Sequence, residues 1–190
     1  MRQDEQREQF RTQLDEQSRR ARALLDAHTA IQLSWNPPEG GWSIGQVLEH
    51  LCMTNDSYLA QAGRLVDQAR QEPARARTAT WRPTVMGNFL VRSFNSTRRL
   101  PAPKIYRPGA AARDAVIKAF LTRQEAIGVL LDRVVDVVWQ DVKMKSPVTS
   151  LIRLNLGDGF AIMLTHADRH FRQIERVERR VDFPGDPRHD

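Results

Sequence analysis

Apolar residues recur every three or four positions over four long segments of the chain, and polar residues fill the positions between them. This spacing places the apolar side chains of each segment on one face of a helix. It predicts long helices over about residues 4–33, 44–71, 110–138 and 158–180, with a short helix over 85–94. Four long amphipathic helices without a pair of strands are typical of an all-α, antiparallel four-helix bundle.

The local signals for helix ends support this division. Ser43 and Gln46 have the spacing of a capping box, which predicts that a helix begins directly after Ser43. Asp158 is the predicted N-cap of the last long helix. Between the second and third long helices, five prolines interrupt residues 73–109 and predict an irregular connector.

The composition is that of one ordinary domain. A chain of 190 residues, 41% of them hydrophobic, can build one core, and we expect residues 1–182 to form it. Residues 183–190, which include two prolines and a glycine, are expected to be a disordered tail. No apolar run has the length of a membrane span, and the first residues are too polar for a signal peptide. With Cys52 as the single cysteine, we expect a cytoplasmic protein without membrane contact.

The positive charge is concentrated in one part of the chain. The net charge is +6, and residues 73–113 contain nine basic residues and no acidic one. One interpretation is a solvated loop region; the other is a basic wall that attracts an anionic ligand. Nucleic-acid binding is disfavoured, because no recognised DNA-binding motif accompanies the charge.

Two histidines one helical turn apart are the strongest candidates for chemistry. His166 and His170 lie on one helix face, about 6 Å apart, and helical-wheel positions put His50 on the matching flank of the second long helix. Three converging imidazoles would form a metal site with an open position, although such histidines can equally bond to nearby carbonyl groups. Ala167 stands where a zincin has its general base, which excludes that mechanism. His28 is expected to be a hydrogen-bonded core or boundary residue.

Two motifs resemble the DinB-like (DinB/YfiT) superfamily. The first is GWSIGQVLEHL over residues 41–51, and the second is HADRHFRQI over residues 166–174. The KIYRP stretch over residues 104–108 is also similar to the family. Each motif alone is loose, but their order and spacing extend the resemblance over about residues 5–180.

The resemblance implies a four-helix bundle of the up-down-down-up type that is often a homodimer. It also implies a divalent metal, most often zinc or nickel, held by His50, His166 and His170. Gln173 lies on the same flank as the histidines of the last helix, and we expect it to accept the free ring N–H of a ligand. No further catalytic residue is identified.

Similar proteins include thiol S-transferases, a thiol-dependent isomerase and hydrolases. A bound metal lowers the pKa of a thiol or water, so the first hypothesis is a metal-dependent S-transferase or hydrolase that acts on a small molecule. Its cofactor would be a low-molecular-weight thiol whose carboxylates meet Arg92, Arg98 and Arg99. The second hypothesis is a non-catalytic bundle that binds metal or another ligand in a stress response. The third and weakest is a nucleic-acid-associated protein that uses the basic segment.

Overall fold

A computed structural model describes residues 1–96, 101–110 and 115–185 of the chain. The chain is mostly helical, as predicted. In order, its elements are α1 (Gln3–Ala27), α2 (Ala30–Ser34), α3 (Ile44–Gln68), α4 (Pro73–Thr78), α5 (Val85–Asn95), a 3-10 turn (Lys104–Tyr106), α6 (Val116–Arg133), β1 (Lys143–Lys145), β2 (Arg153–Asn155) and α7 (Leu156–Glu178). None of the described helices is long and apolar enough to cross a membrane.

The first predicted helix is divided into two helices. The backbone of His28 is extended at the end of α1, and a second capping box then starts α2. In this box Thr29 Oγ1 accepts from the backbone N–H of Gln32, while Gln32 Oε1 accepts from the backbone N–H of Thr29. The prediction of one helix to Leu33 was wrong because the apolar periodicity continues through this local break.

Of the two N-caps predicted for α3 and α7, one is confirmed and one is wrong. The Ser43–Gln46 box is present, and α3 begins at Ile44 as predicted. At α7 the N-cap is Asn155 rather than Asp158. The Asn155 side chain accepts from the backbone N–H of Asp158 at 2.9 Å, and Asp158 Oδ2 accepts from the backbone N–H of Asn155 at 3.0 Å. Asp158 is therefore the third residue of the helix and the reciprocal partner in the box.

A pair of short strands was not predicted. β1 and β2 are antiparallel, and Met144 faces Leu154 in their register. Both of these side chains are buried and belong to the hydrophobic core, so the strand pair packs one face against the helices. The third long helix also ends at Arg133 instead of continuing to residue 138. Residues 111–114, at its predicted start, lie outside the described ranges.

Polar pairs show which long helices run in the same direction. They are Asp56 with Arg123 and Asp67 with Arg133 between α3 and α6, Arg11 with Asp132 and Gln17 with Gln124 between α1 and α6, and Gln17 with the Leu164 carbonyl and Arg20 with Glu175 between α1 and α7. Between α3 and α6, and between α1 and α7, the residue numbers of successive pairs rise on both helices. Between α1 and α6 they rise on one helix and fall on the other. Thus α1 runs with α7, α3 runs with α6, and the two pairs run in opposite directions.

The described C-terminal residues pack against the region where α1 ends and α2 begins. His28 lies with Nδ1 3.3 Å from the Leu24 carbonyl and Nε2 3.2 Å from Glu178, so it is hydrogen-bonded as expected. Phe183 packs edge-on against the His28 ring, with 5.8 Å between ring centroids, and Gln32 donates to the Pro184 carbonyl. The rest of the predicted tail, residues 186–190, lies outside the described part of the chain.

Candidate metal centre

The three histidines predicted from the sequence come together in the structure. His50 lies in the second turn of α3, where the Ser43 capping box fixes the start of the helix. His166 and His170 lie on one face of α7. Because α3 and α7 pack against each other, this face of α7 meets His50. Within the described ranges, these residues are the only group of three or more His, Cys, Asp or Glu side chains arranged to hold a metal ion.

The ring nitrogens converge through their Nε2 atoms. His166 Nε2 lies 3.2 Å from His50 Nε2 and 3.0 Å from His170 Nε2. Zinc–nitrogen bonds are about 2.0–2.1 Å long, so two nitrogen ligands of one tetrahedral site lie about 3.3 Å apart. The separations in this cluster match that spacing.

The opposite ring nitrogens of two histidines have oxygen acceptors. His50 Nδ1 donates to the Tyr106 carbonyl at 2.6 Å, and His170 Nδ1 donates to Gln173 Oε1 at 3.0 Å. A proton held on Nδ1 leaves the lone pair of Nε2 free, which is the tautomer that binds a metal through Nε2. Gln173 therefore occupies the position expected of it. The Tyr106 carbonyl is a partner that the sequence did not indicate.

Burial keeps the three rings neutral. His50 and His170 are buried and His166 is half-buried. Burial lowers the pKa of His50, although the hydrogen bond to Tyr106 opposes this shift. Burial, together with the nearby His50, lowers the pKa of His170 to about 3. Burial and the neighbouring His170 and His50 hold the pKa of His166 well below its ordinary value. At neutral pH all three rings are thus in the form that a metal requires.

Three neutral rings with converging nitrogens are incompletely satisfied without a cation. With the protons of His50 and His170 on Nδ1, both of their Nε2 atoms present lone pairs to His166. His166 has one ring proton and can donate Nε2–H to only one of these lone pairs at a time. A cation at the point of convergence would satisfy all three nitrogens, so the donor set fits a divalent metal such as zinc, nickel, copper or iron.

Two aromatic side chains line the cluster. The Trp42 ring centroid lies 4.9 Å from that of His50 and 6.3 Å from that of His170. The Phe94 ring centroid lies 4.8 Å from that of His166. These rings pack against the cluster on two sides, while His166 is the one of the three histidines that is partly exposed to solvent.

Helix α5 is held against α7 at both ends, and this places Phe94 beside the cluster. At the start of α5, Thr84 Oγ1 donates to the Asp158 carboxylate at 2.7 Å. At its end, Arg169 donates to the Phe94 and Ser96 carbonyls at 3.3 and 2.6 Å. The irregular connector therefore supplies one wall of the site.

Two arginines of α7 place positive charge near the cluster. Arg169 and Arg176 each contribute to lowering the pKa of His170, after burial and His50. From the sequence we instead expected Arg92, Arg98 and Arg99 to bind an anionic ligand. Arg92 is exposed near the end of α5, whereas Arg98 and Arg99 lie outside the described residues, so this role stays a prediction.

The comparison with known families supports the motif resemblance. The model of the DinB superfamily matches residues 13–174, a span that contains all three histidines and Gln173. No curated protein and no solved structure matches the chain. Since the family match covers most of the sequence, the chain belongs to the DinB superfamily.

Proposed function

We propose that His50, His166 and His170 bind one divalent metal ion, zinc or nickel, through their Nε2 atoms. The observation that carries this proposal is the approach of His166 Nε2 to within 3.2 Å of His50 Nε2 and 3.0 Å of His170 Nε2. The acceptors on the Nδ1 atoms of His50 and His170 support the same assignment, because they orient the rings before a metal binds.

We further propose that the protein is a metal-dependent enzyme, either a thiol S-transferase or a hydrolase, acting on a small molecule. When bound, a divalent cation lowers the pKa of a coordinated thiol or water and so supplies a nucleophile at neutral pH. The residues of this chain hold the ring tautomers, keep the imidazoles neutral and exclude water through Trp42 and Phe94. The side marked by His166 is the proposed entrance for the substrate.

We also propose that the four long helices form an up-down-down-up bundle. The polar pairs support it, since α1 runs with α7 and α3 runs with α6 in the opposite direction. In this arrangement α3 and α7 are antiparallel neighbours, which brings His50 level with His166 and His170.

Metal analysis of the purified protein tests the site. We expect stoichiometric metal in the wild type and its loss in His50→Ala, His166→Ala and His170→Ala. His28→Ala is the matched control, because His28 is also hydrogen-bonded beside a helix end but lies outside the cluster. Circular dichroism checks that each variant is folded. A folded wild type that binds neither zinc nor nickel would refute the proposed site.

The proposed activity needs a separate experiment. The metal-loaded protein is assayed with a panel of low-molecular-weight thiols and an electrophilic aromatic halide, and with ester and amide substrates. We expect turnover in one of these assays that disappears in His50→Ala and persists in His28→Ala. Stoichiometric metal without turnover in any assay would contradict the enzyme proposal and favour a non-catalytic metal-binding protein.

A further inference from the structure

The buried apolar residues form two clusters that are separated along all four long helices. One cluster contains Phe10, Tyr58, Ile127 and Phe160, and the other contains Leu24, Leu48, Phe120 and Phe171. On α1, α3 and α6 the change from one cluster to the other coincides with a buried amide side chain. These residues are Gln17, Asn55 and Gln124, and each is at most 2% exposed.

Gln17 joins three of the four long helices through a complete set of hydrogen bonds. Its Nε2 donates to the Leu164 carbonyl at 2.8 Å and to Asp168 Oδ1 at 2.7 Å, both on α7. Its Oε1 accepts from Gln124 Nε2 of α6 at 3.1 Å. The side chain of Gln17 therefore has no unused donor or acceptor group.

Among the described residues, Asn55 and Gln124 lack such a full set of hydrogen-bond partners. Across the described ranges, neither Asn55 Nδ2, Asn55 Oδ1 nor Gln124 Oε1 has a hydrogen-bond partner within the protein. A buried polar group left without a partner destabilises the folded state by about 1–3 kcal/mol. The combined cost of three such atoms would be a large fraction of the free energy of unfolding of a small domain. We therefore expect a bound ligand to supply their hydrogen bonds.

Helix geometry places Asn55 and Gln124 next to each other. Arg123 Nε and Nη2 donate to the two carboxylate oxygens of Asp56, both at 3.0 Å, so these residues are level on the parallel helices α3 and α6. Asn55 precedes Asp56 and Gln124 follows Arg123, so each side chain is rotated by about 100° from this pair, in opposite senses. On two parallel neighbours, opposite rotations turn both side chains toward the interior, with an axial offset of about 3 Å.

We propose that Asn55 and Gln124 bind an internal water molecule between α3 and α6. A ligand that satisfies Asn55 Nδ2 and Gln124 Oε1 together must accept from the first and donate to the second, which requires a donor and an acceptor in one molecule. The site lies between two apolar clusters and Asn55 is 0% exposed, so the ligand must also be very small. Water meets both requirements. A simple cation would leave Asn55 Nδ2 without a partner, an anion would leave both amide oxygens without one, and either ion would bring a charge into an apolar interior.

The bound water completes a hydrogen-bonded chain across all four long helices. The chain runs from Asn55 through the water to Gln124, Gln17 and the Leu164 carbonyl. It thereby connects the helix of His50 to the helix of His166 and His170. The water site is independent of metal binding, because its amide side chains are buried between the helices and none of the three histidines takes part.

Water-selective NMR on the full-length protein, with the side-chain amides labelled with ¹⁵N, tests the proposal. We expect cross-peaks from the Asn55 side-chain amide to the water resonance, with the NOE and ROE signs of a long-lived internal water. Asn155 is the matched control, since it is equally buried but donates to the Arg82 carbonyl and accepts from Trp81 Nε1. Absence of the cross-peak at Asn55 would overturn the proposal.

A pair of variants tests whether the two residues share the same water. In Asn55→Leu we expect the water cross-peak of the Gln124 amide to disappear. In Thr54→Val it should persist, because the Thr54 hydroxyl donates to carbonyl groups of its own helix. If Asn55→Leu does not fold, a high-resolution crystal structure of the wild type decides. A solvent molecule within hydrogen-bonding distance of both side chains supports the proposal, and a direct Asn55–Gln124 hydrogen bond refutes it.

Discussion

The metal-free protein should lose stability as the pH falls from neutral to mildly acidic values. His170 is the residue for which the size of this effect can be worked out. Its pKa in the folded protein is about 3, whereas an unperturbed histidine has a pKa of about 6.5. Below pH 6.5 the unfolded chain therefore binds a proton at this position while the folded chain does not. Stability is retained above about pH 6.5 and is lost progressively down to about pH 3.

The magnitude follows from the linkage relation. Protonation of His170 in the unfolded chain alone removes about 2 kcal/mol from the free energy of unfolding between about pH 7 and pH 5. His50 and His166 add to this loss, because their pKa values are also lowered in the folded protein. The total is a substantial part of the stability of about 5–15 kcal/mol that is typical of a small protein.

Urea denaturation of the metal-free protein at a series of pH values measures the effect. We expect the free energy of unfolding to fall with decreasing pH between about pH 7 and pH 5. In His170→Gln the slope near pH 5 should decrease by about 1.4 kcal/mol per pH unit, which corresponds to one proton. A slope that is flat in the wild type, or unchanged in the variant, would show that the rings are not held neutral by burial.

Two further predictions test packing and the orientation of a ligand. Gly87→Ala should destabilise the protein by about 1–3 kcal/mol in thermal or urea unfolding, because a Cβ atom at Gly87 would overlap the buried Asp158 carboxylate. Gly63→Ala, in open space on α3, should instead be neutral or stabilising, and equal effects of both changes would contradict the close approach of α5 to α7. Gln173→Leu should weaken metal binding about 10- to 100-fold in competition with a chelator, because it removes the acceptor of His170 Nδ1; unchanged affinity would show that Gln173 does not orient the ring.

The helices were predictable because apolar periodicity is a local property of the sequence. The errors lie where a second local signal competes with it. The Thr29–Gln32 box ends one helix and starts another although the apolar pattern continues. At α7 both Asn155 and Asp158 are capable N-caps, and only the structure shows that Asn155 is the cap and Asp158 its partner.

The candidate site was predictable to the extent that its residues have distinctive side chains. The spacing of His166 and His170 placed them on one helix face, and the helical wheel together with the family motifs added His50. The Tyr106 carbonyl gave no signal, because every residue has a carbonyl group and only the fold brings this one to His50 Nδ1. Phe94 was missed as a wall of the site because the contact of α5 with α7 depends on long-range packing.

The energetics of the cluster favour a function over a structural role. Desolvation is the largest cause of the lowered pKa of each of the three rings, which means that the fold surrounds polar groups with an apolar environment. Aliphatic side chains at the same positions would pack against Trp42 and Phe94 without desolvating a polar ring. The arrangement also points Nε2 lone pairs toward one another, an unfavourable geometry that a bound cation turns into a favourable one. A chain that needed these positions only for packing would have no physical reason to place three imidazoles there.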